Sequence, residues 1–201
     1  MDLASIVEGD DYFSGETFTG RLEPRDELRG VSFEGCTFNG CVLDEVVLRN
    51  SDFVDCRFEA SSLSQTKFPG TSFSDCVMTG CRALSVGWSQ AVPNTVSLSP
   101  LTFESCKLTY SSFVGMKLRR WAFIDCDLTE ADFTDAVLTN AAFKNCNLAQ
   151  ARFAGADLRD VNLITSYNYS FDPRDVKVKG LRVTADGGAQ LLRVFGIDVL
   201  D

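Results

Sequence analysis

A large apolar residue at every fifth position constrains this chain more than any other feature in it. From Trp121 to Leu163 the series runs Phe123, Leu128, Phe133, Leu138, Phe143, Leu148, Phe153, Leu158 and Leu163. A small residue stands two places before most of them: Cys126, Ala131, Ala136, Ala141, Cys146, Ala151 and Ala156. Five fits neither regular element. On an α-helix five residues turn about 500°, which scatters the series around the cylinder. On a continuous strand, i and i+5 point to opposite faces. Each five-residue unit therefore reads as one side of a coil followed by a bend, with the small and the large residue both facing inward.

The same register runs from Leu28 through Phe33, Phe38, Leu43, Leu48, Phe53, Phe58, Leu63, Phe68 and Phe73 to Met78, and 14 of the 16 Phe lie on it, so the phase spans most of the chain. Phe-x-x-Cys recurs as Phe33/Cys36, Phe53/Cys56 and Phe73/Cys76, then as Phe103/Cys106, Phe123/Cys126 and Phe143/Cys146, and within each trio successive members lie four units apart. Four sides then close one coil and stack like on like. Roughly seven coils at a strand spacing of about 4.8 Å give a rod on the order of 35 Å long.

The expected architecture is an all-β solenoid: a quadrilateral parallel β-helix of about 20 residues per coil, interrupted once and ended by a short helix. Residues 1–25 form an irregular N-terminal coil or cap, with Phe13 and Phe18 already in phase. Residues 26–83 and 101–165 form the β-helix. Between the trios, Phe73 to Phe103 is six units instead of four, and Ala83 and Pro93 occupy large-residue positions. The stretch 84–100 is therefore either a projecting loop of about ten residues or a half-coil change of register. Met116 and Trp121 are too large for the small slot, so either the coil widens there or they turn outward. Residues 166–201 form a C-terminal segment. Its helix is expected over 189–195 with Gly196 as the stop. Leu191, Leu192, Phe195, Ile197, Val199 and Leu200 cap the last coil, bind a second copy, or do both.

Chemistry has little to stand on. The chain has no His, so Ser-His and Cys-His pairs are excluded, and neither a phosphate loop nor a dinucleotide fingerprint is present. All eight Cys share one phase of the period and occupy the small inward slot, without a Cys-x-x-Cys pair, so neither a metal nor any other cofactor is expected. Asp125, Asp127, Glu130, Asp132 and Asp135 fall on outward slots, which have to be polar for solubility, so no catalytic residue is assigned to them. Net charge is −9, and the segment from Met1 to Ala60 carries 14 acidic and 5 basic side chains, hence all of it. That balance argues against direct contact with nucleic acid or an anionic membrane and favours a basic protein partner. No apolar run approaches a membrane span and the start lacks a basic n-region, so the chain reads as cytoplasmic.

The Cys/Ala-x-Phe/Leu-x-x units across roughly 28–165 resemble the pentapeptide-repeat family, whose fold is a right-handed quadrilateral β-helix. The tail, with Asp172-Pro173-Arg174, Val176, Gly180 and Gln190-Leu191-Leu192 through Gly196-Ile197-Asp198-Val199-Leu200, is similar to the C-terminus of Qnr-type quinolone-resistance proteins. The Gly87-Trp88 segment is similar to albicidin-resistance proteins. The resemblance implies a non-enzymatic homodimer, joined through its C-terminus, that binds DNA gyrase or topoisomerase IV and protects it from poisons. An acidic face (Asp125, Asp127, Glu130, Asp132, Asp135) would imitate a duplex, and a loop (Leu84, Val86, Trp88, Gln90, Pro93, Asn94) would touch the enzyme. Two loops are common in Qnr-type members; this sequence offers one, plus a bend near Glu23. The alternative is a structural scaffold with an unrelated protein partner.

Overall fold

A computed structural model describes residues 1–6, 12–92 and 101–200. The chain forms a four-sided parallel β-solenoid ended by one short helix. Its bends have a local cause. The fifth residue of nearly every unit has a left-handed backbone, with φ of 51° at Asp55, 53° at Asp125, 61° at Asn140 and 60° at Gly40. Gly, Asn and Asp reach that region most readily, which is why they crowd this slot. A side of extended backbone followed by one left-handed residue turns the chain, and four turns close the square.

The second side carries the longest sheet. Its strands are Thr17–Phe18, Thr37–Asn39, Arg57–Glu59, Val77–Thr79, Thr102–Glu104, Ala122–Ile124 and Ala142–Lys144, all parallel and stacked in sequence order. The first side stacks Tyr12–Ser14, Ser32–Glu34, Asp52–Val54 and Ser72–Ser74. It continues through the bridge-paired series Lys117, Val137, Asp157 and Lys177. Coil-to-coil hydrogen bonds run along the axis, as from Asp127 N to Cys106 O at 2.9 Å and from Leu128 N to Asn147 O at 2.9 Å. The sheet edge on the N-terminal side is covered, because Leu3 N donates to Thr19 O at 2.8 Å and Leu3 plugs the core. A covered edge removes a template for unwanted strand pairing.

The small slot is more than small. Most of its Ser, Thr and Cys donate to a carbonyl of the coil before: Ser61 Oγ to Phe38 O at 2.9 Å, Thr66 Oγ1 to Leu43 O at 2.6 Å, Cys146 Sγ to Phe123 O at 3.2 Å. Buried hydroxyls and thiols are thereby satisfied. All eight cysteines are free and buried. They form two ladders, Cys36, Cys56 and Cys76 on the second side and Cys41, Cys81, Cys106, Cys126 and Cys146 on the third. Burial pushes the Cys36 thiol up, and the Cys41 thiol up to about 11. Cys146 is raised first by its neighbour Cys126 and then by burial.

The break in the pattern is smaller than expected, and it starts later. Ser72 pairs with Val92 at the ordinary step of four units, whereas Val77 pairs with Thr102, Arg82 with Lys107 and Gly87 with Ser112 at a step of five. The register thus carries a surplus of five residues, entering between Val92 and Leu101. Residues 84–92 remain in the coil, and neither a ten-residue excursion nor a half-coil shift describes the register. Phe103 stacks above Met78, not Phe73. The second Phe-x-x-Cys trio therefore sits one side further round than the first.

This shift rearranges the core. Before the break, Phe columns occupy the adjacent first and second sides: Phe33 and Phe53 stack at 4.9 Å, Phe38 and Phe58 at 4.6 Å. After it, Phe and Leu alternate, so the columns occupy the opposite second and fourth sides. There Phe123 stacks on Phe143 at 5.0 Å and Phe113 on Phe133 at 4.9 Å, and the two columns meet edge-to-face. Trp88 joins the two regimes, stacked between Phe68 at 5.2 Å and Phe113 at 6.2 Å and edge-on to Phe103 at 5.1 Å. Met116 and Trp121 are partly buried and pack against this core, Trp121 within 6.0 Å of Phe103.

After Leu163 the coil goes on. Asn147 pairs with Tyr167, Asp157 with Lys177 and Asn162 with Arg182, so Val176, Val178, Leu181 and Val183 are further slot residues of a coil that was expected to stop at 165. The helix spans Ala185–Arg193, starting four residues before the expected 189 and running through Gly187 and Gly188. Thr184 caps it, its Oγ1 accepting from Gly187 N at 3.0 Å. Gly187 is buried inside it because the helix crosses Tyr169 there: a Cβ at 187 would overlap the Tyr169 hydroxyl.

Candidate interaction surfaces

Three sets of residues were expected to meet a partner, and the fold treats them differently. Of the loop set, Val86 and Trp88 are 1% and 0% exposed, so they are core residues of the small and large slots and present nothing to a partner. The reason is the phase: 86 and 88 fall on the inward positions of a side that never leaves the coil. Leu84 is half-buried on the third side and Gln90 is exposed at a corner. Pro93 and Asn94 lie outside the described residues.

The five carboxylates circle one coil instead of sharing a face. Asp125, Glu130 and Asp135 sit at three successive corners, each left-handed; Asp127 faces out from the third side and Asp132 from the fourth. Most are engaged locally. Asp127 Oδ1 accepts from Thr129 N at 3.1 Å and Thr129 Oγ1 at 2.6 Å, and Asp132 Oδ1 from Thr134 N at 2.9 Å. Asp125 Oδ1 accepts from Asn145 Nδ2 at 2.9 Å, one coil on. Arg152 lies 3.8 Å from Asp132. The Glu130 carboxylate accepts from the Tyr110 hydroxyl and holds its pKa above the usual phenol range. Among the described residues, no three His, Cys, Asp or Glu converge as a metal set. No described helix is long and apolar enough to cross a membrane.

The tail divides by burial. Leu191 is buried and covers the last coil, while Leu192, Val194, Phe195, Ile197, Val199 and Leu200 are exposed. Arg174, held by Asp172 at 2.5 Å, lies 4.8 Å over the Phe195 ring. The Arg174 guanidinium holds the Asp172 carboxyl below the usual carboxylate range. An apolar run of this kind is more than a chance exposure of single side chains.

Sequence reasoning missed a charge pattern along the first side. Glu34, Asp52, Asp55 and Asp75 point outward on its N-terminal half, and Lys117, Arg119, Arg120, Lys177 and Lys179 on its C-terminal half. The five-residue surplus hid it, because only the true register assigns Lys117 and Lys177 to the side that holds Glu34 and Asp52.

Residues 96–166 match the description of a pentapeptide repeat region, and residues 27–65 and 56–84 match pentapeptide repeats in eight copies. No curated protein sequence matches the chain. Among solved structures, two trypsin-treated variants of QnrB1, a plasmid-mediated fluoroquinolone resistance protein, superpose with TM-scores of 0.69 and 0.62 at 17% identity. Each alignment covers 94% of this chain and 98% of the other. HetL, a pentapeptide repeat protein involved in heterocyst differentiation regulation from the cyanobacterium Nostoc, aligns over 89% of this chain and 91% of its own at 15% identity and a TM-score of 0.43. With the repeat signature matched across 27–84 and 96–166 and the coil it encodes observed, this chain belongs to the pentapeptide-repeat family.

Proposed function

We propose that this protein binds DNA gyrase or topoisomerase IV and protects it from a topoisomerase poison, acting as a non-enzymatic homodimer joined through its C-terminus. The observation that carries this reading is the superposition on QnrB1, a resistance protein, over nearly the full length of both chains. The exposed tail supports the dimer: Leu192, Phe195, Ile197 and Val199 lie beyond the end of the capped coil. The acidic N-terminal region supports a basic partner, since it concentrates the net charge of −9. Asp125, Asp127, Glu130, Asp132 and Asp135 extend that acidic surface around the rod. The surplus stretch beginning at Pro93 and Asn94, flanked by Gln90, is the segment that meets the enzyme.

The test is a gyrase supercoiling assay with a fluoroquinolone and, separately, albicidin, titrated with purified protein. Recovered supercoiling supports the reading; no recovery at any ratio with either poison ends it. Deleting residues 94–98 removes the surplus and leaves the coil in phase. Rescue is expected to disappear while the folded signal persists, and full rescue would take this segment out of the mechanism. A pull-down that recovers another protein without any topoisomerase subunit would establish the scaffold alternative.

A further inference from the structure

One side of the rod is polarised, and the topoisomerase reading uses only its acidic half. On the first side the outward charges of the N-terminal half are all acidic, Glu34, Asp52, Asp55 and Asp75, all exposed. On its C-terminal half they are mostly basic: Lys117, Arg119, Arg120, Lys177 and Lys179 are exposed. Arg159 is bound to Asp157 at 2.6 Å, and Asp160 is the remaining acid there. The stretch between the two halves, residues 93–100, contains no charged residue.

We propose that this side pairs with the same side of a second copy laid antiparallel, so that the acidic half of each rod faces the basic half of the other. The pattern selects this occupant. A polyanion matches only the C-terminal half, and it is repelled by the other half and by a net charge of −9. A basic protein matches only the N-terminal half. A two-fold axis across the middle of the side matches both halves at once, as an isologous contact requires. One flat side of so narrow a rod buries at the low end of specific interfaces, under about 1,200 Å2 in total. Exposed charge pairs contribute little each and are screened by salt, so the association is weak and ionic-strength dependent. It is distinct from the tail contact, which is apolar and persists in salt.

Sedimentation velocity of the full chain tests it, at roughly 20 mM and roughly 500 mM salt, where the screening length falls several-fold. Self-association should weaken about tenfold or more between the two, whether or not the tail also dimerises. Two charge-reversed variants follow: an acidic-half variant, Glu34→Lys with Asp52→Lys, and a basic-half variant, Lys117→Glu with Lys177→Glu. Each alone should lose the salt-sensitive step, because its two facing halves then repel. Mixing the two should restore it, since the reversed half of one then meets the opposite charge on the other. Circular dichroism on each variant shows that the coil is intact. Salt-insensitive association alone, retention of the step by both variants, or no restoration on mixing overturns the proposal. So does binding of heparin through the basic half without self-association at low salt. Failure of supercoiling rescue leaves all of these readouts unaffected.

Discussion

Replacing Trp88 with alanine tests where the coil runs. The indole is fully buried, stacked between Phe68 and Phe113 and edge-on to Phe73 and Phe103. A buried aromatic removes about 150–250 Å2 from water. At about 25 cal/mol/Å2 that is roughly 4–6 kcal/mol against an extended chain, reduced by about 10–40% for a realistic denatured ensemble. One term opposes it: the indole Nε1 has no hydrogen-bond partner among the described residues. Its desolvation costs about 1–3 kcal/mol and is relieved by either substitution. The net expectation is a loss of about 3 kcal/mol for Trp88→Ala, or about 6–12 °C in Tm for a chain of this size. Trp88→Phe keeps the stack and removes the orphaned N–H, so it should stay within about 1 kcal/mol of the parent. Thermal unfolding followed by circular dichroism reads both. On a projecting loop, alanine would cost under about 0.5 kcal/mol. A loss of that size, or equal losses for Ala and Phe, refutes the placement of Trp88 in the stack.

Other outcomes are expected. None of the eight thiols should react rapidly with a disulfide reagent in the folded protein, and all eight should react in denaturant; one fast native thiol would contradict the inward ladders. Gly187→Ala sets a helix-propensity gain of about 1 kcal/mol against overlap with Tyr169, and overpacking of about 1–3 kcal/mol should win. Faster proteolysis of the tail reads it, and an unchanged rate would mean that the helix does not press on Tyr169. Arg159, hydrogen-bonded to Asp157, holds that carboxyl below its ordinary 3.8, with burial opposing. A depressed carboxylate stabilises the fold above its unfolded pKa and loses that contribution as pH falls through the folded one. Acid unfolding of Asp157→Asn should therefore lack part of the decline below pH 3.8. Identical acid profiles for variant and parent would count against the pair.

The family's fold could be read from residues alone where each five-residue unit obeys one rule. Phe33, Phe53 and Phe73, with Cys36, Cys56 and Cys76, declared both the inward slots and the four-unit coil, because a period of five excludes helix and strand alike. The break was misjudged for an identifiable reason. Along the sequence Phe103 lies six units after Phe73, but the coil matches backbone to backbone, and hydrogen-bonding register admits Met78 below Phe103 just as readily. Alanine at 83 looked like lost pattern and tryptophan at 88 like part of a loop, yet both are buried, Ala83 in the column below Leu108 and Trp88 between two phenylalanines. The acidic cluster looked continuous in sequence for a related reason: neighbours along the chain fall on successive corners and sides, so closeness in sequence disperses a surface feature around the rod.

By itself the sequence determined the repeat, the direction of every slot but those of Met116 and Trp121, and the inward position of the cysteines, since these follow from side-chain alternation within five residues. Only the tertiary structure decided which side each unit occupies after Val92. That depends on coil-to-coil pairing between units four or five apart, and with it came the core position of Trp88 and the polarised first side. Local periodicity fixes what points in; long-range register fixes which outward residues become neighbours.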